Sequence, residues 1–561
     1  MSPFTWQSDG LYVEKRWIAN GFVQIEHLYT LPHQERPEVI AAWLETTGGQ
    51  RTEFLCPIFQ WRTSFLEQQC PSFCCTARKN FDRYLAYQLD RALSSTSPKP
   101  GEVPTIPIGT FLNETGLHTL PSGNVCAVLG RDAIGAGDAD IVLSPTLARL
   151  SVPHGVDRPL PKLFHLLLQQ PPVVMLAASL AFLSVIRSAC LDQVDFQAVG
   201  YIIGPSAVGK TVLAQRLFGF VGDTNGSQFH PAFVLESGAT YPAVLNAMLE
   251  ARDLPIVLDD IALSASRTSQ QKRTDLAANI IREGANAAKI AKMRPDGTRV
   301  DITCQATVIL TAEIILQEVS ELNRCILLPI TRPLDLPSEL GPKLMGSSIR
   351  SFLNYITKRL SNREQISWTR NLSDYTWRLN TNIVQNLDKR VRKNLSILLG
   401  VLELVLSAAL EEGLTPEEAE QARRHFAKGL DDSISAYRKY CQKIILQTPR
   451  GNLAWIISQG LENNAFNLKR IKNRKGILSS FPCDGVFYKD YLYLFPNALK
   501  IFVQRQYGYR EYSLKKISTE LAIDSILHVH QDCSNTVKLH KNAPRMYALD
   551  IEALHEKAEQ F

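Results

Sequence analysis

The sequence predicts an α/β protein whose central region, residues 161–345, is a parallel sheet flanked by helices. Three observations predict it. Apolar strand-like runs, "AVGYII", "FVLES", "LPIVLDD" and "ATVILTAE", alternate with helix-compatible ones, "TVLAQRLF", "ATYPAVLNAMLEAR" and "RTDLAANIIREGANAA". Such alternation marks βαβ units, whose strands lie parallel. The run "LPIVLDD" is apolar until it closes on two aspartates, as a strand buried on both faces does when its C-terminal end opens on a cleft. Between "VGYII" and its helix lies "GPSAVGKT", two glycines around four small residues, then Lys and Thr.

Before this region, residues 1–93 mix strand-like stretches such as "GFVQIEHLYTL" with the helical "NFDRYLAYQLDRALS", and form an α+β region of unknown role. Residues 94–108, "SSTSPKPGEVPTIP" and its border, have the Ser and Pro content of a linker. Residues 109–160 form a connecting region in which "GLHTLPSGNVCAVLG" reads as a hairpin around Pro-Ser-Gly. The apolar stretch Leu163–Ile186 is broken by Gln169, Gln170, Pro171 and Pro172. It reads as a buried helix from about Val173 to Arg187 rather than a membrane span.

Gly204, four residues, Gly209, Lys210 and Thr211 match the full spacing of a phosphate-binding loop. The chemistry requires these residue types. Gly204 and Gly209 let the backbone turn its N–H groups inward around phosphate oxygens, and Pro205, Ser206, Ala207 and Val208 complete the cradle. Lys210 reaches the β and γ phosphates and Thr211 holds Mg²⁺ through its hydroxyl. The helix opening at Lys210, Thr211 and Val212 adds the favourable field of its N-terminus. ATP with Mg²⁺ is the expected cofactor pair. In "LPIVLDD", Asp259 is the expected second Mg²⁺ contact and Asp260 the carboxylate that orients the attacking water, with Glu313 next in line for that role. Thr311 ends the strand "ATVILTAE", where a polar residue would sense the γ-phosphate; a Thr closing a strand is also common without function.

Between the third helix and that strand, "AKIAKMRPDGTRVDI" turns at Pro295-Asp296-Gly297 and reads as a hairpin. Lys289, Lys292, Arg294 and Arg299 crowd it, which fits a solvated surface and contact with nucleic acid equally. Residues 346–450 form a helical region, with three-four spacing in "DKRVRKNLSILLGVLELVLSAAL" and a Thr cap with Pro behind it in "TPEEAEQARRHFAKGL". In residues 451–561 a basic run, "NLKRIKNRKG", precedes the alternating "GVFYKDYLYLFP". The helical "SLKKISTELAID" (Ser513–Asp524) then leads into "ILHVHQD", a turn, and "TVKLHK". Helix, strand, turn, strand is the order of a winged helix, a DNA-binding module.

The chain has 561 residues, enough for three or four domains of ~150 residues. With 45% hydrophobic and 21% charged residues it has an ordinary globular composition. The net charge of +6 is compatible with nucleic acid, though local patches decide. Eleven cysteines and a start without a basic, apolar leader indicate a cytoplasmic protein without a membrane anchor. The one cysteine cluster, Cys70, Cys74 and Cys75, lacks the partner pair of a zinc site.

The motifs "GPSAVGKT", "DTNGSQ", "LPIVLDD", "NIIREGANAAKIAKMRPDG", "ATVILTAE" and "DYLYLFPNALKIF…MYALDI" together resemble the AAA+ helicase-like replication ATPases of bacterial mobile elements, of the cassette-chromosome and pathogenicity-island type, which are related to minichromosome maintenance helicases. The resemblance runs from about Thr110 to the C-terminus. It implies an AAA+ core, a C-terminal winged helix, and a homo-oligomeric ring, a hexamer, translocating on single-stranded or forked DNA. It implies an arginine finger at Arg324 in "ELNRCILLP" and a second sensor at Arg390 in "KRVRKN". Asp260 departs from the family's usual glutamate. Two other functions are compatible with the loop. A regulatory or defence ATPase would switch an assembly with nucleotide and bind nucleic acid without unwinding. A small-molecule kinase would need a lid and an acceptor site, and would leave the basic hairpin unexplained.

Overall fold

The computed structural model describes residues 3–32, 34, 36–95, 106–225, 228–236, 238–261, 267–286, 289–293, 299–313, 316, 318–370, 372, 387–447, 453–473, 483–507, 513–528, 535–539 and 544–559. It divides into two compact units, Met1–Ile315 with Asn323–Ile434, and Leu316–Leu322 with Ser435–Phe561.

In the first unit, β1 (Phe4–Gln7), β2 (Gly10–Val13) and β3 (Arg16–Ala19) form an antiparallel meander. The long hairpin β4 (Gly21–Thr30) and β5 (Pro37–Thr46) is extended by β6 (Arg51–Pro57). Helices α1 (Thr63–Gln69) and α2 (Arg78–Ser95) follow. Tyr84 fixes α2 to β4: its hydroxyl donates to the Val23 carbonyl at 2.9 Å and accepts from the Val23 amide at 3.1 Å. Next come β7 (Ile108–Leu112), β8 (Gly116–Thr119), β9 (Val125–Leu129), β10 (Asp132–Ile134), β11 (Ile141–Leu143) and α3 (Pro145–Arg149).

The expected hairpin is β8–β9, with Thr119 opposite Val125 across Pro-Ser-Gly. The expected division into an N-terminal region and a separate connecting region does not hold for the sheet. β7 lies parallel to β4 and β11 parallel to β7, in the order β11-β7-β4-β5-β6. Residues on both sides of the 94–108 segment therefore share one sheet. A parallel partner about eighty positions away leaves no local pattern, so the pairing was hidden. Residues 96–105 of that segment lie outside the described residues.

The central sheet follows α4 (Pro159–Leu168), α5 (Pro172–Ser184) and α6 (Arg187–Val194). Its chain order is β12 (Val199–Ile203), α7 (Lys210–Phe218), the small hairpin β13 (Gly222–Asn225) and β14 (Gln228–Pro231), β15 (Val234–Glu236), α8 (Tyr241–Glu250), β16 (Pro255–Ile261) and α9 (Arg267–Ala285). The hairpin β17 (Lys289–Met293) and β18 (Arg299–Thr303), β19 (Thr307–Ala312) and β20 (Cys325–Pro329) complete it, while α10 (Val319–Leu322), between β19 and β20 in the chain, belongs to the second unit. The strands lie parallel in the order β15-β16-β19-β12-β20. β12 and β19 are buried along their whole length, which is why both read as continuous apolar runs. α5 matches the expected buried helix, Val173 through Ser184 being inaccessible.

Three long helices follow: α11 (Pro342–Ser361), α12 (Lys389–Glu411) and α13 (Pro416–Gln447). Thr415 caps α13 reciprocally with Glu418, accepting from its amide at 3.2 Å while the Glu418 carboxylate accepts the Thr415 amide at 2.9 Å. α12 is long and apolar enough to cross a membrane, but 72% of its most apolar window is buried within the protein.

The second unit holds α14 (Leu453–Glu462), β21 (Leu468–Arg470), β22 (Gly485–Tyr488), β23 (Tyr491–Leu494), α15 (Pro496–Tyr507), α16 (Leu514–Ile523), β24 (Tyr547–Asp550) and α17 (Ile551–Glu559). A sheet ordered β21-β22-β23-β24 packs its helices around Leu453, Leu492, Leu499, Ile517 and Leu554. The expected helix at 513–524 is α16. The two strands expected after it are reduced, among the described residues, to single bridges, Leu527 with Leu549 and Val537 with Met546.

A candidate nucleotide-binding site at the end of the parallel sheet

β12 delivers the chain into the loop at Gly204. A Cβ there would lie 2.1 Å from the Ile330 carbonyl, so the tight passage between β12 and the segment after β20 admits only glycine. Gly209 caps α7 at φ 92° and Ala207 adopts φ 60°, both left-handed, which curls the loop. Pro205, Ser206 and Ala207 are exposed at its crest, while Val208 is buried and its carbonyl accepts from the Leu334 amide at 3.1 Å. The crest is thus presented and the root anchored. Val212, on the first turn of α7, is exposed.

Lys210 is 8% exposed, and its Nζ donates to the carbonyls of Gly204 at 3.0 Å and Pro205 at 2.6 Å. Glu313 Oε1 is 3.9 Å from the same Nζ. Thr211 Oγ1 donates to Asp259 Oδ1 at 3.0 Å.

The aspartates sit in a β-bulge. Leu258 pairs with Leu310 and Ile261 with Ala312, so Asp259 and Asp260 together oppose Thr311. Asp260 takes φ 64°, left-handed for a non-glycine residue. The Thr311 hydroxyl closes the bulge, donating to Asp259 Oδ1 at 2.5 Å and accepting from the Asp260 amide at 2.8 Å. Thr311 was expected to face a γ-phosphate. It is wholly buried, with its hydroxyl bonded to Asp259 on one side and to the Asp260 amide on the other. No feature of "VILTAE" or "VLDD" announces this bond, because it depends on the register between two strands fifty residues apart.

The structure therefore brings together Gly204–Thr211, Asp259, Asp260 and Thr311, and adds Glu313. The oxygens of Thr211 and Asp259, beside a buried lysine and a loop curled at a helix N-terminus, are a hard donor set suited to Mg²⁺ with a polyphosphate. These two residues would hold the ion, which would supply charge neutralisation at the phosphates.

The other expected site residues lie elsewhere. The Arg324 carbonyl accepts from the amide of Val199, the first residue of β12, at 2.9 Å. The loop leaves from the opposite end of that strand, ~16 Å away along five residues, beyond the reach of an arginine side chain. Arg390, on the first turn of α12, is at the same far end. Its helix is fixed there by Asn394, which exchanges two 3.0 Å hydrogen bonds with the Gln197 backbone, and by Lys393, 3.3 Å from Asp195.

The basic hairpin also springs from that end. Lys289 pairs with Thr303, Lys292 with Val300 and Met293 with Arg299, while Arg294 and the Pro-Asp-Gly turn lie outside the described residues. Sequence reasoning missed what holds its roots. Arg187, wholly buried, donates to the Gly284 carbonyl near the end of α9, at 2.6 Å, and to the Ala306 carbonyl just before β19. Nearby, Asp253 accepts the Ser188 amide at 2.7 Å and the Ser188 hydroxyl. Burial pushes its carboxyl up to about 6, against the lowering effect of those bonds.

No family model matches the chain, and no curated protein matches it. Among solved structures, a chain described as an SCCmec type IV Cch active helicase aligns over 99% of this chain and 99% of its own, at 15% identity and a TM-score of 0.54. The C-terminal region of NrS-1 aligns over 86% and 92%, at 9% identity and a TM-score of 0.29. A chain described as JCV Helicase aligns over 51% of this chain and 64% of its own, at 8% identity and a TM-score of 0.19. The first of these likenesses shows that the chain shares the fold of that helicase across nearly its entire length.

Proposed function

We propose that this protein is an ATP-dependent DNA helicase or translocase serving the replication of a mobile element, hydrolysing ATP with Mg²⁺ at the subunit interfaces of a ring. The observation that carries the reading is the arrangement of Lys210, Thr211, Asp259 and Thr311 around one phosphate-binding loop while Arg324 and Arg390 stand at the other end of the sheet. Beyond Lys210 and Mg²⁺, the charge developing on the transferred phosphoryl group calls for a further cation from outside the chain. Head-to-tail packing of identical chains supplies it, the far end of one sheet meeting the loop of the next. A ring, a hexamer in the resembling family, closes that packing.

The full-length likeness to a chain described as an active helicase supports unwinding, and the basic hairpin and the C-terminal unit, read as a winged helix, are the surfaces proposed for DNA. The test is the ATPase rate with no DNA, single-stranded DNA and a fork, together with strand separation on the fork. Stimulation with unwinding is expected, and Lys210→Ala should abolish both. Hydrolysis without unwinding would turn the reading to the nucleotide-switched regulatory ATPase.

A further inference from the structure

We propose that Glu313, rather than Asp260, is the catalytic carboxylate that takes the proton from the hydrolytic water. The inference rests on the ATPase reading above and deepens it. β19 is the strand between β12, which carries the phosphate-binding loop, and β16, which carries the two aspartates. Glu313 follows it directly and is stitched to both neighbours. Its amide donates to the Ile261 carbonyl at 3.2 Å, and the carbonyl of the preceding Ala312 accepts from the Gly204 amide at 3.2 Å. Its carboxylate is largely buried, 18% exposed, and lies 3.9 Å from the lysine that must reach the terminal phosphates.

Asp260 is placed otherwise. Its bulged, left-handed backbone is held by Thr311, its side chain is exposed, and it makes no hydrogen bond or ion pair with Lys210 or Thr211. Asp259 is already engaged by Thr211 and Thr311. Among the described residues, Glu313 is the carboxylate within ion-pair distance of Lys210.

A carboxylate so close to a bound triphosphate repels it, since like charges at a few ångströms disfavour binding. Its use lies in the reaction. The water oxygen forms a bond to the γ-phosphorus as the bond to the β–γ bridging oxygen breaks, and that electron pair leaves with the nucleoside diphosphate. One water proton passes to Glu313 and from there to solvent, leaving inorganic phosphate.

Glu313→Gln keeps the size of the side chain and removes its ability to accept that proton. In the full chain with single-stranded DNA, turnover of ATP should fall roughly 10²- to 10⁴-fold. Affinity for ATP, read by equilibrium binding of a fluorescent ATP analogue, should stay the same or tighten, because the repulsion is gone. Asp260→Asn should keep the larger share of activity. Glu313→Asp, which withdraws the carboxylate by one methylene, should fall between wild type and Gln. Binding that weakens in step with turnover would show Glu313 to be only a partner of Lys210 and overturn the proposal. So would full turnover in Glu313→Gln, or a reversed order of the Glu313 and Asp260 variants. If wild type itself fails to hydrolyse ATP, the ATPase reading falls as well; hydrolysis by wild type and Glu313→Gln alike removes this inference alone.

Discussion

Replacing Thr311 by Val separates positioning of the metal-binding aspartate from direct contact with phosphate. The two side chains have nearly the same shape, so the change deletes a hydroxyl and little else. That hydroxyl donates to Asp259 Oδ1 at 2.5 Å and accepts from the Asp260 amide at 2.8 Å, in a place with no solvent access. A hydrogen bond to a carboxylate contributes about 1.5–3 kcal/mol and an ordinary one about 0.5–1.5 kcal/mol, so losing both costs about 2–4.5 kcal/mol. Asp259 then keeps only the 3.0 Å bond from Thr211, and the bulge loses its clasp. Urea denaturation should register the lost stability, and amide hydrogen exchange should show the Asp260 N–H losing protection. ATP turnover should fall with a raised Mg²⁺ requirement. Thr311→Ser keeps the hydroxyl and loses one methyl, about 1 kcal/mol at most, and should restore protection and turnover. If Thr311→Val retains wild-type stability and Asp260 protection while turnover collapses, Thr311 acts on the phosphate itself and the positioning role is refuted.

Arg324→Ala should bind ATP normally and hydrolyse it poorly, and mixing it with Lys210→Ala subunits should restore activity at about a quarter of interfaces in randomly mixed rings. Mixed rings without recovery would place the missing cation elsewhere. Replacing Lys292 and Arg294 by Ala should weaken DNA binding and flatten its salt dependence by about one counterion per lost contact, with basal ATPase unchanged; an unaltered salt slope would take the hairpin out of the DNA path. Asp253 gives a pH signature. Its folded-state value of about 6 is raised above the ordinary 3.8, so the folded protein binds the proton more tightly. Stability from this group is therefore present at low pH and lost as pH rises through about 6, a change of about 3 kcal/mol. Asp253→Asn should flatten that descent between pH 4 and 6 in denaturation midpoints, and a slope identical to wild type would contradict it.

The sequence by itself determined the central sheet and the loop, because both are written locally. A strand buried on both faces is apolar at every position, as β12 and β19 are, and a phosphate-binding loop needs its glycines, lysine and threonine within eight consecutive residues. The cap of α13 and the β8–β9 turn were legible for the same reason. Only tertiary structure decided what depends on register and on distant pairing. The bulge that sets Asp259 and Asp260 against Thr311, the approach of Glu313 to Lys210, and the clasp of Arg187 on both roots of the hairpin each join segments from about fifty to more than a hundred residues apart. The strand β7 joins β4 across eighty positions, where no period in the sequence marks the partner. The placement of Arg324 and Arg390 at the end of the sheet away from their own loop is of this kind too. The direction of a strand in a parallel sheet fixes which of its ends meets the ligand, and a motif read along the chain carries no such direction in space.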